Sequence, residues 1–348
     1  MSAPAADKTP PTKVNPPASG LGSSGAYQGI PDGLVDIDEI DVAFVDVGDG
    51  PTNPYLRNIY PGAALIATGL SLHGLRSGSL SKSGAIAAWI VGYGHLANPL
   101  KLFGTTLIAF YLLGSRATKV DADIKATLED GPDPAKPGGN RDWVQVLSNS
   151  LPSLTLALLY RLTCWDAPRP LLMWDLPRRI IFATLGHFAT CMGDTLASEL
   201  GILSPDKPTH ILTGRTVPPG TNGGISAYGL GASALGGLIM GAVMLVDLSI
   251  EDMAIRRVPP QWGSWALLGW GTMAGFCGSL LDSIIGGALQ QTLYSTVDSK
   301  VLTDFSERDP LEPGLVTIGP GKNWLSNSAV NLITSSIMAV AGWNVGGW

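Results

Sequence analysis

The chain has 348 residues, of which 45% are apolar and only 14% charged, with a formal net charge of −6. That balance argues against two soluble domains and excludes a nucleic-acid binder built on a basic surface. The three cysteines, Cys164, Cys191 and Cys277, are too scattered for a disulfide framework or a CxxC metal site.

Residues 1–30 are rich in Pro, Ser, Gly and Ala, and seven acidic residues follow between Asp32 and Asp49, with no Lys or Arg from Val14 to Leu56. The expectation is a disordered acidic tail over residues 1–58 and a multi-pass membrane domain over residues 59–348. The tail lacks the basic start and apolar core of a secretory signal, and it is too acidic for a transit peptide, so targeting is expected to be internal.

From Tyr60 onward the apolar segments are 60–75, 83–98, 100–114, 147–163, 179–200, 224–246, 263–290 and 326–345. The fold class is therefore all-α, a polytopic helical membrane protein with about eight, within six to nine, transmembrane or re-entrant helices. On this eight-span reading the links after spans 1, 3, 5 and 7 hold twelve of the 22 basic residues, against seven in the even links and three before span 1. That bias does not fix the orientation. The polar clusters are more regular: nearly all border links 1, 3, 5 and 7, on one face of the membrane.

Along the chain, Ser79, Lys82 and Ser83 precede span 2, while Ser115, Arg116, Lys119, Lys125 and the run Gly138–Gln145, with Arg141, fill link 3. Read singly, such basic residues are more often solvated or against lipid head groups than in a site. His187 lies seven residues before Asp194 on the same helical face but has no second histidine at metal-ligand spacing, which favours packing. Span 5 ends in Gly193-Asp194-Thr195-Leu196-Ala197-Ser198-Glu199-Leu200-Gly201. Gly193, Ala197 and Gly201 form a small-residue stripe that admits a close helix, with Asp194 and Ser198 sharing another face.

The turn Arg215-Thr216-Val217-Pro218-Pro219 leads into Gly220-Thr221-Asn222-Gly223-Gly224 at the start of span 6. Backbone amides at such a helix start make an anion site, to which Arg215 can add a charge-assisted bond; the pattern is not a P-loop. Asp282 is the only ionisable Asp, Glu, Lys, Arg or His between Trp262 and Gln291, with Gly278 and Gly286 one turn away on either side. A carboxylate at such depth is costly and usually functional, and two of them, Asp194 and Asp282, invite a shared Mg²⁺. Asn327 and Asn331 open the last span and can bind a ligand or join helices.

The ordered set Ser79–Gly92, Gly138–Val146, Gly193–Gly201, Val217–Ser226, Gly278–Gly286 and Asn327–Ser335 resembles the transmembrane protein 19 family, which includes plant phytyl-phosphate kinase and archaeal polyprenyl-phosphate kinases. The GDxxAS element is also similar to one in CTP-dependent lipid kinases such as dolichol kinase. The resemblance implies a membrane kinase that transfers the γ-phosphoryl group of a nucleoside triphosphate, CTP being the preferred donor, to an isoprenoid monophosphate. Its implied catalytic set is Asp194, Asp282, Arg215 and Lys82, with both aspartates holding Mg²⁺. Ser198, Glu199, Gly220, Thr221, Asn222, Gly223, Gly224, Asn327, Asn331 and Arg141 surround the nucleotide and phosphates in this reading. Expected partners are the isoprenoid phosphate, the nucleotide and membrane lipids, with no nucleic acid and room for a homo-oligomer. The expected location is the endoplasmic reticulum or another organelle membrane. The rival is an ion or small-anion transporter, because broken helices and intramembrane aspartates also build transport sites near the midplane.

Overall fold

Seven of the eight apolar segments each lie on one helix, and the fourth is divided between two. A computed structural model describes residues 53–131, 140–259, 261–304, 306 and 308–348. The helices are α1 (Pro54–Arg57), α2 (Pro61–Arg76), α3 (Lys82–Leu96), α4 (Leu102–Ala117), α5 (Ala122–Leu128), α6 (Trp143–Ser148), α7 (Leu151–Thr163), α8 (Asp175–Gly201), α9 (Ala227–Glu251), α10 (Ser264–Leu289) and α11 (Asn327–Val345). Among the described residues α8, α9 and α10 are long and apolar enough to cross a membrane by length and composition, and α4 is a shorter apolar helix.

The fourth expected span, 147–163, is not continuous. Asp142 accepts from the Gln145 amide and Gln145 returns a bond in a capping box that starts α6. The helix then breaks at Asn149 and Ser150, and α7 restarts with Pro152 in its first turn, where proline costs no hydrogen bond.

The all-α expectation omits two small sheets. Strands β1 (Glu129–Asp130), β5 (Lys300–Leu302), β4 (Thr292–Ser295) and β6 (Leu315–Ile318) lie in that order, while β2 (Thr209–His210) pairs with β3 (Gly224–Ile225). All six strands fall in or at the edges of links 3, 5 and 7, where exposed backbone must find partners outside a helix.

These links meet. Leu80 of link 1 bridges Arg141 of link 3, and β1 of link 3 pairs in parallel with β5 of link 7. The Asn222 amide of link 5 donates to Thr292 Oγ1 of link 7 at 3.1 Å. Links 1, 3, 5 and 7 therefore form one continuous polar face. Four helices that start there, α3, α6, α9 and α11, are capped by Ser81, Asp142, Ser226 and Ser326. Each cap oxygen satisfies one otherwise unpaired amide of a first turn.

The opposite face gathers the even links and both ends of the described chain. Arg161 Nε donates to Tyr55 O at 2.7 Å, Arg178 Nε donates to Gly346 O at 2.5 Å, and the Leu171 amide donates to Asp252 Oδ2 at 2.7 Å. Within the described residues α1 is tied to α7, since the Asn53 side chain donates to Arg161 O and Arg161 donates to Tyr55 O. Residues 1–52, with most of the expected tail, and Gly138 and Gly139 lie outside the described residues.

At the centre is α8, buried on every side from Ile180 to Gly193, as a helix apolar all round must be. Its neighbours α9, α10 and α11 approach through glycine. A Cβ on Gly193 would sit 2.6 Å from Gly275 O of α10, and one on Gly236 would sit 2.8 Å from Met192 O of α8. Backbones this close gain packing and lipid-excluding contact that larger side chains would prevent.

Candidate functional site

Both α8 and α10 run toward the polar face, and Thr190 of α8 donates to Ala274 O of α10 at 3.2 Å, beside Gly278. One turn further along each helix stand Asp194 and Asp282, and they line a single narrow cleft. The cleft is completed by Asn149 from the α6–α7 break, Thr190 and Cys191 from α8, and Asn331 and Thr334 from α11. Each aspartate lies seven residues before the end of its helix, at Gly201 and Leu289. At 1.5 Å per residue that is about 10 Å below the polar face, nearer that face than the middle of a core about 30 Å thick.

Few donors meet the carboxylates. Thr334 Oγ1 donates to Asp282 Oδ2 at 3.4 Å, and the Asn331 amide nitrogen donates to Asp282 Oδ2 and Asn327 O at 3.2 Å each. That orientation leaves the Asn331 oxygen facing Asn149 Oδ1, 3.4 Å away. The Asn149 nitrogen is held elsewhere, donating to Gln145 O at 3.0 Å. Among the described residues neither aspartate has an ion-pair partner, and no hydrogen-bond donor reaches Asp194.

Two carboxylates and two amide oxygens therefore converge with little positive charge to balance them. This donor set fits Mg²⁺, a hard cation that takes one or two carboxylates and fills its remaining positions with water and phosphate oxygens. It does not fit zinc, since the described residues hold no group of three or more His, Cys, Asp or Glu. His187 is buried and packs as expected, its Nε2 lying 3.1 Å from Asn149 O.

The remaining expected residues divide into three groups. Lys82 opens α3 beside the Arg141 loop, where the Ser81 amide donates to Arg141 O at 2.9 Å; its side chain is exposed on the polar face, as is that of Arg215. No hydrogen bond or ion pair joins Lys82 or Arg215 to the aspartates. Ser198 is exposed and donates to Thr195 O.

The second group is a charged cluster beside α8. Lys125 Nζ is largely buried, 2.6 Å from Glu199 Oε2, and also donates to Ala117 O and Thr118 O. Arg141 reaches Thr118 Oγ1 at 3.5 Å and is attracted by Glu199. Glu129 stands against Gly220, where a Cβ would come 2.5 Å from Glu129 Oε1. Burial, and then the charge of Glu199, push the Glu129 carboxyl up to about 7, with Lys125 opposing. Glu199 is thus paired with Lys125.

The third group is the glycine-rich loop, which differs from the expected anion cradle. The amide of Thr221 donates to Pro218 O, that of Asn222 to Thr292 Oγ1 and that of Gly224 to Thr221 O. These groups close the turn on itself. Helix α9 starts only after Ser226, whose side chain caps it. Gly223, at φ +76°, sits with its would-be Cβ 2.7 Å from Gly287 Cα, so the loop packs on α10 near Asp282. Asn327 is held through its backbone, its amide donating to Asp304 Oδ2 at 3.1 Å.

Asn149, Thr190, Cys191 and Thr334 escaped the sequence reading. A polar Asn inside an apolar segment, three residues before Pro152, was a usable signal for Asn149. The other three carry no signal in a single sequence, because each type is common in helix packing.

The model of the integral membrane protein family DUF92 matches residues 65–339. The chain belongs to this family. It agrees with the transmembrane protein 19-type resemblance and with a multi-pass helical architecture. Protein PGR of Arabidopsis thaliana is 32% identical over 302 residues, which is 83% of this chain and 98% of the plant protein. A membrane protein of Methanocaldococcus jannaschii is 27% identical over 65% of this chain and 82% of its own length. One from Synechocystis is 26% identical over 53% of this chain and 62% of its own. No solved structure matches.

Proposed function

We propose that the cleft between Asp194 and Asp282 is the phosphotransfer site of a membrane kinase acting on an isoprenoid monophosphate. The observation that supports this most is the pair of carboxylates, without an ion-pair partner among the described residues, lying about two turns beneath the face where all four odd-numbered links converge. A bound Mg²⁺ would supply charge neutralisation for the phosphates. Asp194 and Asp282 would hold it, with the Asn149 and Asn331 oxygens beside them.

In the proposed reaction the bond between the γ-phosphorus and its bridging oxygen breaks, a monophosphate oxygen bonds to that phosphorus, and a nucleoside diphosphate leaves. A monophosphate is already ionised at neutral pH, so no general base is required, and the work of the protein is positioning and electrostatics. Lys82 and Arg215, exposed on the polar face, would meet the nucleotide there, whereas the isoprenoid chain would lie against the apolar helix surfaces. Donor supply makes this face cytosolic or stromal, in the endoplasmic reticulum or another organelle membrane.

The helix break at Asn149 supports the rival transporter reading, since discontinuous helices build transport sites. The depth of the carboxylates, close to one face, favours the kinase. The test is product analysis of purified protein in detergent with Mg²⁺, γ-labelled CTP, ATP, GTP or UTP, and phytyl, farnesyl and geranylgeranyl monophosphates. Labelled isoprenoid diphosphate is the expected product; no transfer across the panel from folded protein would overturn the reading.

A further inference from the structure

The break between α6 and α7 frees carbonyl groups that a continuous helix would have bonded. Two of them find donors within the break, since Ser150 Oγ donates to Val146 O at 2.6 Å and the Ser150 amide donates to Leu147 O at 3.1 Å. The next helix begins with the Leu154 amide donating to Ser150 O. Asn149 O is passed over: among the described residues no backbone amide donates to it. Its donor is instead His187 Nε2 of α8, 38 positions away, at 3.1 Å.

This donor is an unfavourable one to bury. Facing a carbonyl, Nε2 carries the ring proton, which leaves Nδ1 as an acceptor. His187 has no exposed surface, and its Nδ1 is buried without a partner. An apolar side chain of similar volume would fill the same space without that penalty. What the imidazole supplies is a tie from α8 to one backbone atom of the break. Cys191, one turn further on the same face of α8, brings its Sγ to 4.0 Å from that atom, and Asp194 follows in the next turn.

The remainder of Asn149 is held as firmly. Its backbone amide and its side-chain nitrogen both donate to Gln145 O, at 3.3 and 3.0 Å, which leaves Oδ1 to face the Asn331 oxygen across 3.4 Å of the cleft. The position of Oδ1 relative to Asp194 therefore depends on the bond that joins Asn149 to α8.

We propose that His187 is a positioning residue for the cation site. By holding the Asn149 carbonyl to α8, it keeps the Asn149 side-chain oxygen in register with Asp194 of the same helix. The role rests on the reading of the cleft as a Mg²⁺ site and adds the residue that places one of its oxygens. His187 does not line the cleft, so it acts through Asn149 and touches no ligand itself. Removal of such an outer partner typically lowers metal affinity or activity by about 10–100-fold.

The experiment uses full-length protein in detergent. Its readout is the Mg²⁺ concentration that gives half of the maximal rise in unfolding temperature, with phosphotransfer measured alongside. His187→Leu removes the donor and is expected to raise that midpoint by about tenfold or more. His187→Gln, whose amide nitrogen can take the place of Nε2, should restore most of the loss. His187→Asn keeps a donor on a side chain too short to reach Asn149 O; it should behave as His187→Leu does and replaces it if the apolar variant fails to fold.

Asn149→Ala separates positioning from packing, because it removes the side-chain oxygen and keeps the carbonyl. In that background His187→Leu should still lower the unfolding temperature in EDTA, yet leave the Mg²⁺ midpoint where Asn149→Ala alone puts it. An unchanged midpoint in His187→Leu, or an equal shift with and without the Asn149 side chain, would overturn the positioning role and leave the cation site standing. A wild-type protein whose unfolding temperature ignores Mg²⁺ would overturn both together.

Discussion

Replacing Asp194 or Asp282 with Asn tests the cation site without relying on activity. Asn keeps one acceptor oxygen and the shape of the side chain. The bonds at stake are long, 3.4 Å from Thr334 and 3.2 Å from Asn331 to Asp282, and absent for Asp194. Loss of such bonds is expected to cost under about 1 kcal/mol, and relief of repulsion between the carboxylates offsets it. In chelator, both variants should therefore unfold at or above the wild-type temperature.

Mg²⁺ reverses the order. A ligand present at about 100 times its dissociation constant stabilises the folded state by about 2.7 kcal/mol. At roughly 2–4 °C per kcal/mol for a chain of this order of size, wild type should gain about 5–10 °C between EDTA and saturating Mg²⁺. Asp194→Asn and Asp282→Asn should gain little, and phosphotransfer should fall by about 10²–10³-fold or more. The assay is thermal unfolding in detergent, with and without Mg²⁺. An undiminished Mg²⁺ response in both variants, or marked destabilisation of both in EDTA, would refute the reasoning and make the aspartates structural acceptors.

Three further perturbations test the frame around the cleft. Gly193→Val places a side chain on the Gly275 backbone, where even a Cβ would be 2.6 Å from the carbonyl oxygen; overpacking should destabilise by about 1–3 kcal/mol, read as a lower unfolding temperature in EDTA. Lys125→Met strips the half-buried Glu199 of its 2.6 Å partner and should cost about 1–3 kcal/mol, with much of the loss recovered by adding Glu199→Gln, measured as a double-mutant cycle. For Glu129, burial raises the folded pKa to about 7 from an ordinary 4.5, so its contribution is fully present below about 4.5 and is lost as pH rises through about 7. Glu129→Gln should match wild type at pH 4.5 and exceed it at pH 8 by up to about 3 kcal/mol, seen as a flatter profile of unfolding temperature against pH.

The position of the helices was legible in the sequence because long apolar runs have one stable form in lipid, a helix that satisfies its own backbone. The two isolated aspartates were legible for the same reason, since a charge inside such a run stands out against its neighbours. Gathering of the polar clusters on one face followed from counting spans, and the pairing of β1 with β5 agrees with it.

What the tertiary structure decided was which atoms still have bonds to give. The turn at 220–224 has the glycines of an anion cradle, yet Pro218 O, Thr221 O and Thr292 Oγ1 already accept from three of its amides. Glu199 pairs with Lys125, 74 positions away, a partner that spacing along the chain does not reveal. Asn149 and Thr334 joined the cleft only because glycine crossings bring α8, α10 and α11 together around them. Spacing along one helix fixes which side chains share a face, because that periodicity is a property of the helix itself. Which face meets which partner depends on packing between segments far apart in the chain, and the same packing sets the free valence of every polar group it encloses.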